Sequence, residues 1–368
     1  MADPLDKIEL AYDASDEYRP EPVPIPEPPA WQDGSFRIGI HTSIAGDIAG
    51  ALDIASKLGA NALQIFSASP RMWPRGGTRI ADADAARFRA RRAELGLGPL
   101  VIHDNYLINL ASPDRVMRAR SMQAFHDELV RAVALGADFL VAHPGSCMGS
   151  ETPHAISEIA QGMRQAARGT KLGDLRILIE NTSGMGSAVG ARFEEIKAIL
   201  DETRDLPMGV CLDTAHMFEA GYEISSEKGL DWTLELVDRT VGLDRVYVLH
   251  VNDSKTPLGS RVDRHEHIGR GKIGLDAFGR ILNHPRLGPG PQGLAGRAFI
   301  LETPIDSPGD DRRNVRALWA LVGVNAKQAP SAVDGFSMVR GKKKLSTQRA
   351  PRARNRKPGA VKSKAEKK

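Results

Sequence analysis

Histidines and carboxylates recur in this chain at the ends of short apolar runs. Five of its ten histidines (His41, His103, His143, His216 and His250) stand at such ends, and His265 and His267 follow in one loop. The same positions carry acids, in Ile-Glu180-Asn181, Leu-Asp213-Thr-Ala-His216, Leu-His250-Val-Asn252-Asp253 and Leu-Glu302-Thr. A lone histidine of this kind is ordinarily a satisfied or exposed side chain. So many polar groups converging on one place would be costly to desolvate unless something bound there. Convergent imidazoles and carboxylates without thiolates suit Zn²⁺, and less often Mn²⁺ or Fe²⁺.

Asp213-x-x-His216 and Asp263-Arg264-His265 each place two donors close together, the second at the i, i+2 spacing that shares one face of an extended chain. With His103, His143, Glu180, His250 and Glu302 the candidate donors number nine. A tetrahedral site takes three or four, so the set implies two or three metals with one carboxylate bridging a pair. Two divalent ions roughly 3.5–4 Å apart are the arrangement used for in-line displacement at phosphorus. Phosphodiester hydrolysis is therefore the chemistry these residues suggest. A metal-dependent sugar isomerase or epimerase barrel is the alternative, since it gathers the same side chains around one or two ions. It has no use for the further group His216, Asp263 and His265. A non-catalytic DNA-binding protein is a second rival, against which the full donor set argues.

Such a rim needs elements to build it. Eight apolar runs recur along the chain: Arg37–Ser43, Ala62–Ser67, Leu100–Asp104, Phe139–Gly145, Arg176–Asn181, Met208–His216, Val246–Asp253 and Ala298–Pro304. Between them lie helical patterns, such as Met122, Phe125, Leu129 and Val133, or Leu275, Phe278 and Leu282. Ser112-Pro113 reads as an N-cap followed by proline at the first helical position. Continuous apolar strands alternating with helices imply a parallel sheet buried on both faces. Eight such units predict an α/β fold, a single (β/α)₈ TIM barrel, whose active site lies at the C-terminal ends of the strands. A doubly wound open sheet fits less well, because Gly39 to Gly50 spells no glycine-rich phosphate turn.

Composition agrees with a globular chain: 41% hydrophobic and 26% charged, with no apolar stretch long enough for a membrane helix. Cys147 and Cys211 are the two cysteines, which exclude a disulfide framework and suit a reducing compartment. Both read as structural. The formal charge of +4 is an average of unlike parts. Residues 1–35 hold nine acids against Lys7 and Arg19, whereas residues 340–368 hold thirteen Lys or Arg against Glu366. The predicted organisation is a flexible acidic, proline-rich arm over 1–35, the barrel over 36–326 and a flexible basic tail over 327–368. The tail reads either as a solubilising end or as a source of non-specific attraction to nucleic acid. The N-terminus has no secretory pattern, so a cytoplasmic location is expected, nucleoid-associated if the source is bacterial.

Longer motifs surround these donors. They are His103-Asp-Asn-Tyr-Leu-Ile-Asn-Leu110, His143-Pro-Gly-Ser146, Ile179-Glu-Asn-Thr182, Gly209-Val-Cys-Leu-Asp-Thr-Ala-His216 with Ala220-Gly-Tyr222, His250-Val-Asn-Asp-Ser-Lys255 and Gly259-Ser-Arg-Val-Asp-Arg-His265. In them the chain resembles the endonuclease IV family of apurinic/apyrimidinic (AP) endonucleases, over about Ile38 to Pro304. The resemblance implies a barrel with three Zn²⁺ that cleaves DNA on the 5′ side of an abasic site in base-excision repair and leaves a 3′-hydroxyl. By that likeness His103 and His143 hold the first zinc and Glu180 bridges to the second. Asp213, His250 and Glu302 complete the second, while His216, Asp263 and His265 hold the third. Glu180 and Glu302 are the carboxylates placed at the reaction itself, with water as the nucleophile. Arg71, in Ser69-Pro-Arg-Met-Trp73, resembles a minor-groove arginine, and Tyr106 a residue that fills the gap left by the flipped nucleotide. Double-stranded DNA with abasic sites is the implied partner, and a monomer is expected. His41 and Asp104 read as orienting groups, and Leu287–Gly296 as an insertion.

Overall fold

The computed structural model describes residues 36–73, 79–288 and 297–323. The expected acidic arm, the basic tail and all of the expected insertion beyond residue 288 lie outside the described residues.

Strands and helices alternate as β1 (Arg37–His41), α1 (Gly50–Leu58), β2 (Ala62–Phe66), α2 (Asp82–Leu95), β3 (Leu100–His103), α3 (Arg115–Leu135), β4 (Phe139–Ala142), α4 (Thr152–Ala167), β5 (Arg176–Glu180) and α5 (Phe193–Glu202). They continue with β6 (Met208–Asp213), α6 (Thr214–Ala220), α7 (Glu227–Thr240), β7 (Val246–His250), β8 (Asp253–Ser254), β9 (His265–Glu266), α8 (Leu275–Asn283), β10 (Ala298–Leu301) and α9 (Asp310–Leu321). Strands β1 to β7 and β10 form a closed barrel in the order β1-β10-β7-β6-β5-β4-β3-β2, every pair parallel. The predicted TIM barrel is thus the observed fold. Strands β8 and β9 pair with each other, antiparallel.

The strand sequences are continuously apolar because both faces are buried. One face turns inward, where Ala62, Val101, Val141, Leu178, Cys211, Val248 and Ile300 pack against one another. The other packs on the helices through Leu63, Ile102, Leu140, Ile177, Val210, Leu249 and Phe299. Gly39 allows β1 into this closure, since a Cβ there would lie 2.3 Å from Ile300 Cδ1 and 2.9 Å from the Ala62 carbonyl carbon. The strand period of two then places the site. Two residues beyond Ala62, Val101, Leu178, Cys211, Val248 and Ile300 come Gln64, His103, Glu180, Asp213, His250 and Glu302, which face the same way at the top of the barrel.

The helical patterns are also realised: Phe125 and Leu129 of α3 and Phe278 and Leu282 of α8 are fully buried. Three expectations need correction. α3 begins at Arg115, not after Ser112-Pro113, because the Asp114 carboxylate accepts from both Val116 N (2.8 Å) and Met117 N (3.0 Å). The run Met208–His216 is not all strand. Asp213 Oδ1 accepts from His216 N at 2.8 Å and caps α6, so His216 lies in the first helical turn. Likewise the run Val246–Asp253 ends as strand at His250, and Asp253 joins the β8–β9 pair. Among the described residues, no helix is long and apolar enough to cross a membrane.

Candidate metal centre

Barrel closure brings together residues from six strand ends (β3 to β7 and β10), the first turn of α6 and the loop that leads into β9. Glu180, fully buried at the end of β5, lies at the middle and divides its two oxygens between neighbours. Oε2 lies 3.3 Å from His103 Nε2 and 3.3 Å from His143 Nε2. Oε1 lies 2.8 Å from His250 Nδ1, which is itself 3.3 Å from Glu302 Oε2 and 4.0 Å from Asp213 Oδ2. On the far side, Asp213 Oδ2 is 3.7 Å from His265 Nε2. Asp263 reaches His216 Nε2 with Oδ2 (3.2 Å) and His265 Nε2 with Oδ1 (3.6 Å).

Donor atoms lying within 4.8 Å of one another therefore fall into neighbouring sets: His103, His143 and Glu180; Glu180, Asp213, His250 and Glu302; and Asp213, His216 and His265. All nine residues singled out in the sequence meet at this centre. Asp263 stands beside the last set, paired with both of its histidines, and Asp213 joins that set as well as the second. The residues fit a group of divalent cations on the structure's own terms. The donors are nitrogen and carboxylate oxygen at mutual distances that ions could span. His265 Nε2 is buried without a hydrogen-bond partner among the described residues, although two carboxylates face it.

The surroundings hold these side chains in place. Asn252 Nδ2 donates to Asp213 Oδ2 at 2.6 Å, and its Oδ1 accepts from Glu302 N at 2.8 Å. Asn181 Oδ1 accepts from Asp213 N at 2.7 Å. Gln64, fully buried at β2, reaches His41, His250 and Glu302. Sequence reasoning misses Gln64 because β2 ends on no acid or histidine. The available signal is a lone amide in an apolar strand, which burial obliges to find partners. His41 and Asp104 do sit beside the centre, His41 Nδ1 at 3.7 Å from Glu302 Oε1 and Asp104 Oδ1 at 3.6 Å from His103 Nδ1. His267 does not join it. That ring pairs with Asp306 (3.3 Å), between β10 and α9, and with Asn314 (3.0 Å) of α9. Cys211 lies one pleat beneath the centre, where burial pushes its thiol well above the usual range. Cys147 is half-buried with Sγ 3.3 Å from Ser187 O.

Charge is distributed as a metal-free centre would require. Burial opposes ionisation of Glu180, but the His250 and His143 charges and the bond to His103 hold it well below the usual carboxylate range. Burial likewise opposes charge on His103, yet the Glu180 bond and the Glu302 and Glu180 carboxylates raise it to about 10. Carboxylates also outweigh burial at His216 and His250, whose values are raised, whereas His143 is lowered. His103 and His216, held well above the usual histidine value, are protonated at neutral pH and must lose those protons before binding a cation. Loading the metal-free protein at pH 7 should therefore release protons from His103 and His216. Raising the pH should tighten binding as these groups are neutralised. Calorimetric titration in buffers of different ionisation enthalpy measures this; buffer-independent heats would contradict it.

The two candidate DNA contacts share a platform. Buried Asn105 donates to Ser69 O (3.1 Å) and Met72 O (2.9 Å), fastening the loop that carries exposed Arg71 to the loop that carries Tyr106. Tyr106 is 60% exposed and stands edge-on to Phe66, with ring centroids 5.1 Å apart.

The family described as "Xylose isomerase-like TIM barrel" matches residues 52–319. A protein of Solibacter usitatus called "Probable endonuclease 4" is 49% identical over 292 residues, covering 78% of this chain and 97% of the relative. A relative of the same name from Chloroflexus aurantiacus is 39% identical over 292 residues, covering 78% of this chain and 98% of its own. The crystal structure of endonuclease IV from Thermus thermophilus superposes with TM-score 0.65 at 40% identity, covering 77% of this chain and 98% of that one. A D-psicose 3-epimerase structure matches with TM-score 0.53 but only 17% identity, covering 80% of this chain and 96% of that one, a likeness of fold alone.

Proposed function

This chain belongs to the endonuclease IV family, and from that premise we propose that it is a zinc-dependent AP endonuclease of base-excision repair. It hydrolyses the phosphodiester 5′ to an abasic site in double-stranded DNA and leaves a 3′-hydroxyl. The observation that carries the reading is the division of Glu180 between two donor sets, with a further set sharing Asp213. An isomerase or epimerase centred on one or two ions does not call for the additional His216, Asp263 and His265.

The first position is assigned to His103, His143 and Glu180, the second to Glu180, Asp213, His250 and Glu302, and the third to His216, Asp263 and His265. Divalent cations at these positions supply Lewis acidity, lowering the pKa of water and neutralising charge on the phosphate. Four carboxylates (Glu180, Asp213, Asp263 and Glu302) would repel a phosphodiester on their own, so the same residues that hold cations make their presence necessary for substrate. Glu180 and Glu302 hold their neighbours in register around the scissile group. Asn252 and Asn181 hold Asp213, and the main chain orients three of the imidazoles. Arg71 enters the minor groove beside the lesion and Tyr106 occupies the space left by the displaced nucleotide, both from the platform that Asn105 ties down. The chain works as a cytoplasmic monomer, nucleoid-associated if bacterial, within the organisation of an arm over 1–35, a barrel over 36–326 and a tail over 327–368.

A duplex carrying one abasic site tests this directly. Incision should give a single 3′-hydroxyl product at the lesion, with an intact duplex and ketose sugars left unchanged. Arg71→Ala should weaken binding to the abasic duplex by about tenfold, a loss of ~1–2 kcal/mol typical of one side-chain contact to nucleic acid, with metal content unaltered. Epimerisation of a ketose without incision would reject the assignment.

A further inference from the structure

A histidine offered to a cation needs one ring nitrogen bare and the other N–H engaged elsewhere. For three imidazoles of the centre the main chain provides that engagement. His103 Nδ1 lies 2.9 Å from Asp104 O, His216 Nδ1 2.9 Å from Asn181 O and His265 Nδ1 3.3 Å from Glu302 O, which leaves each Nε2 facing the centre. His250 is turned the other way. Its Nδ1 faces Glu180 and Glu302, and its Nε2 lies 2.7 Å from Gln64 Oε1.

The orientation of the Gln64 amide follows from its neighbours. Its Nε2 is 3.0 Å from His41 Nδ1 and donates to Glu302 Oε1. Turned over, it would set an amide oxygen against a carboxylate and point N–H at N–H on the His250 side. In the orientation seen, Gln64 accepts from His250 Nε2–H and donates to both other partners. Its side chain is wholly buried, and the bond to His250 is made away from water.

Resting on the metal-dependent reading above, we propose that Gln64 is a positioning residue of the second metal position. It makes Nδ1 the metal-facing nitrogen of His250, and by holding Glu302 Oε1 it turns Oε2 toward the same place. The task that backbone carbonyls perform for His103, His216 and His265 falls here to a side chain, from the one barrel strand that delivers no acid or histidine to the rim. Gln64 is therefore also a point where the orientation of a ligand can be altered by substitution.

The test uses the full chain, stripped of metal and titrated with Zn²⁺ and separately with Co²⁺. Gln64→Leu keeps the volume and removes every hydrogen bond. Its expected effect is a ~10–100-fold weaker affinity for one ion of the bound complement, the range seen when the outer partner of a ligand is lost. The Co²⁺ absorption band should change with it, while the other ions bind as in the wild type. In the metal-loaded wild type, ¹⁵N-histidine NMR should find His250 protonated at Nε2, a measurement that stands even if the variant does not fold. Wild-type metal affinity and an unchanged Co²⁺ spectrum in Gln64→Leu would overturn the proposal, as would a proton on His250 Nδ1. A wild-type chain that binds no divalent metal would instead refute the metal-dependent reading itself.

Discussion

Glu180→Gln is expected to lower kcat/KM for incision at an abasic site by about 10³-fold or more, the loss that follows when several kcal/mol of metal-centred charge stabilisation is removed. Each Glu180 oxygen belongs to a different donor set, so a neutral amide breaks both at once: the Oε2 side toward His103 and His143 and the Oε1 side toward His250. An amide also presents an N–H₂ group where only acceptors are useful. Asp213→Asn should act comparably, since Oδ2 faces both His250 and His265. Neither change should unfold the barrel. The apolar layer of Val101, Leu178, Val248 and Ile300 lies beneath these residues and is untouched. Asparagine also caps a helix as well as aspartate does, so α6 keeps its start. Circular dichroism and thermal melting would check folding beside a gel assay of incision. Near-normal turnover in a folded Glu180→Gln protein would sink the assignment.

Removing the metals should have the second large effect. A strong chelator is expected to reduce incision to background, and added Zn²⁺ to restore it, with about three zincs per chain by elemental analysis. In the metal-free centre Glu180 is held well below the usual carboxylate range, and Asp263 falls to about 2, because its bond to His216 and the His216 and His265 charges overcome burial. Its stabilisation is present above the ordinary aspartate value and is lost as pH falls through about 2. The raised value of His103, about 10, contributes fully below the ordinary histidine value and is lost as pH rises through about 10. Protons thus replace part of the cations' charge, so the stripped protein should stay folded at neutral pH but melt lower than the loaded one. A ligand held at 100 times its Kd adds about 2.7 kcal/mol of stability. Undiminished incision in the chelated protein would refute the metal requirement, and one or two exchangeable Mn²⁺ in place of zinc would favour the epimerase alternative.

The nine donors were legible because each lies at or just beyond the end of an apolar run, or in one of two short motifs, and strand ends are local features. Boundaries were less legible where a side chain intervenes. Asp213 stops β6 by capping α6, and Asp114 starts α3 two residues past the proline expected to do so. His267 resembles the other histidines in sequence yet bonds to Asp306 and Asn314, away from the centre. What separates it from His265 in the sequence is Asp263, two residues before His265, a spacing His267 lacks.

The sequence by itself determined the repeating unit, the closed α/β architecture and the chemical character of the rim, because apolar periodicity and residue type act over a few positions. Only the tertiary structure decided how the donors are shared. Glu180 meets partners 77 and 70 residues away, and Gln64 meets His250 and Glu302 at separations of 186 and 238. Those meetings depend on the closure of β1 against β10 and on the register of each strand pair. The fold brings the donors to one rim by a period of two, but which nitrogen and which oxygen face the centre is set by hydrogen bonds between strands distant in sequence.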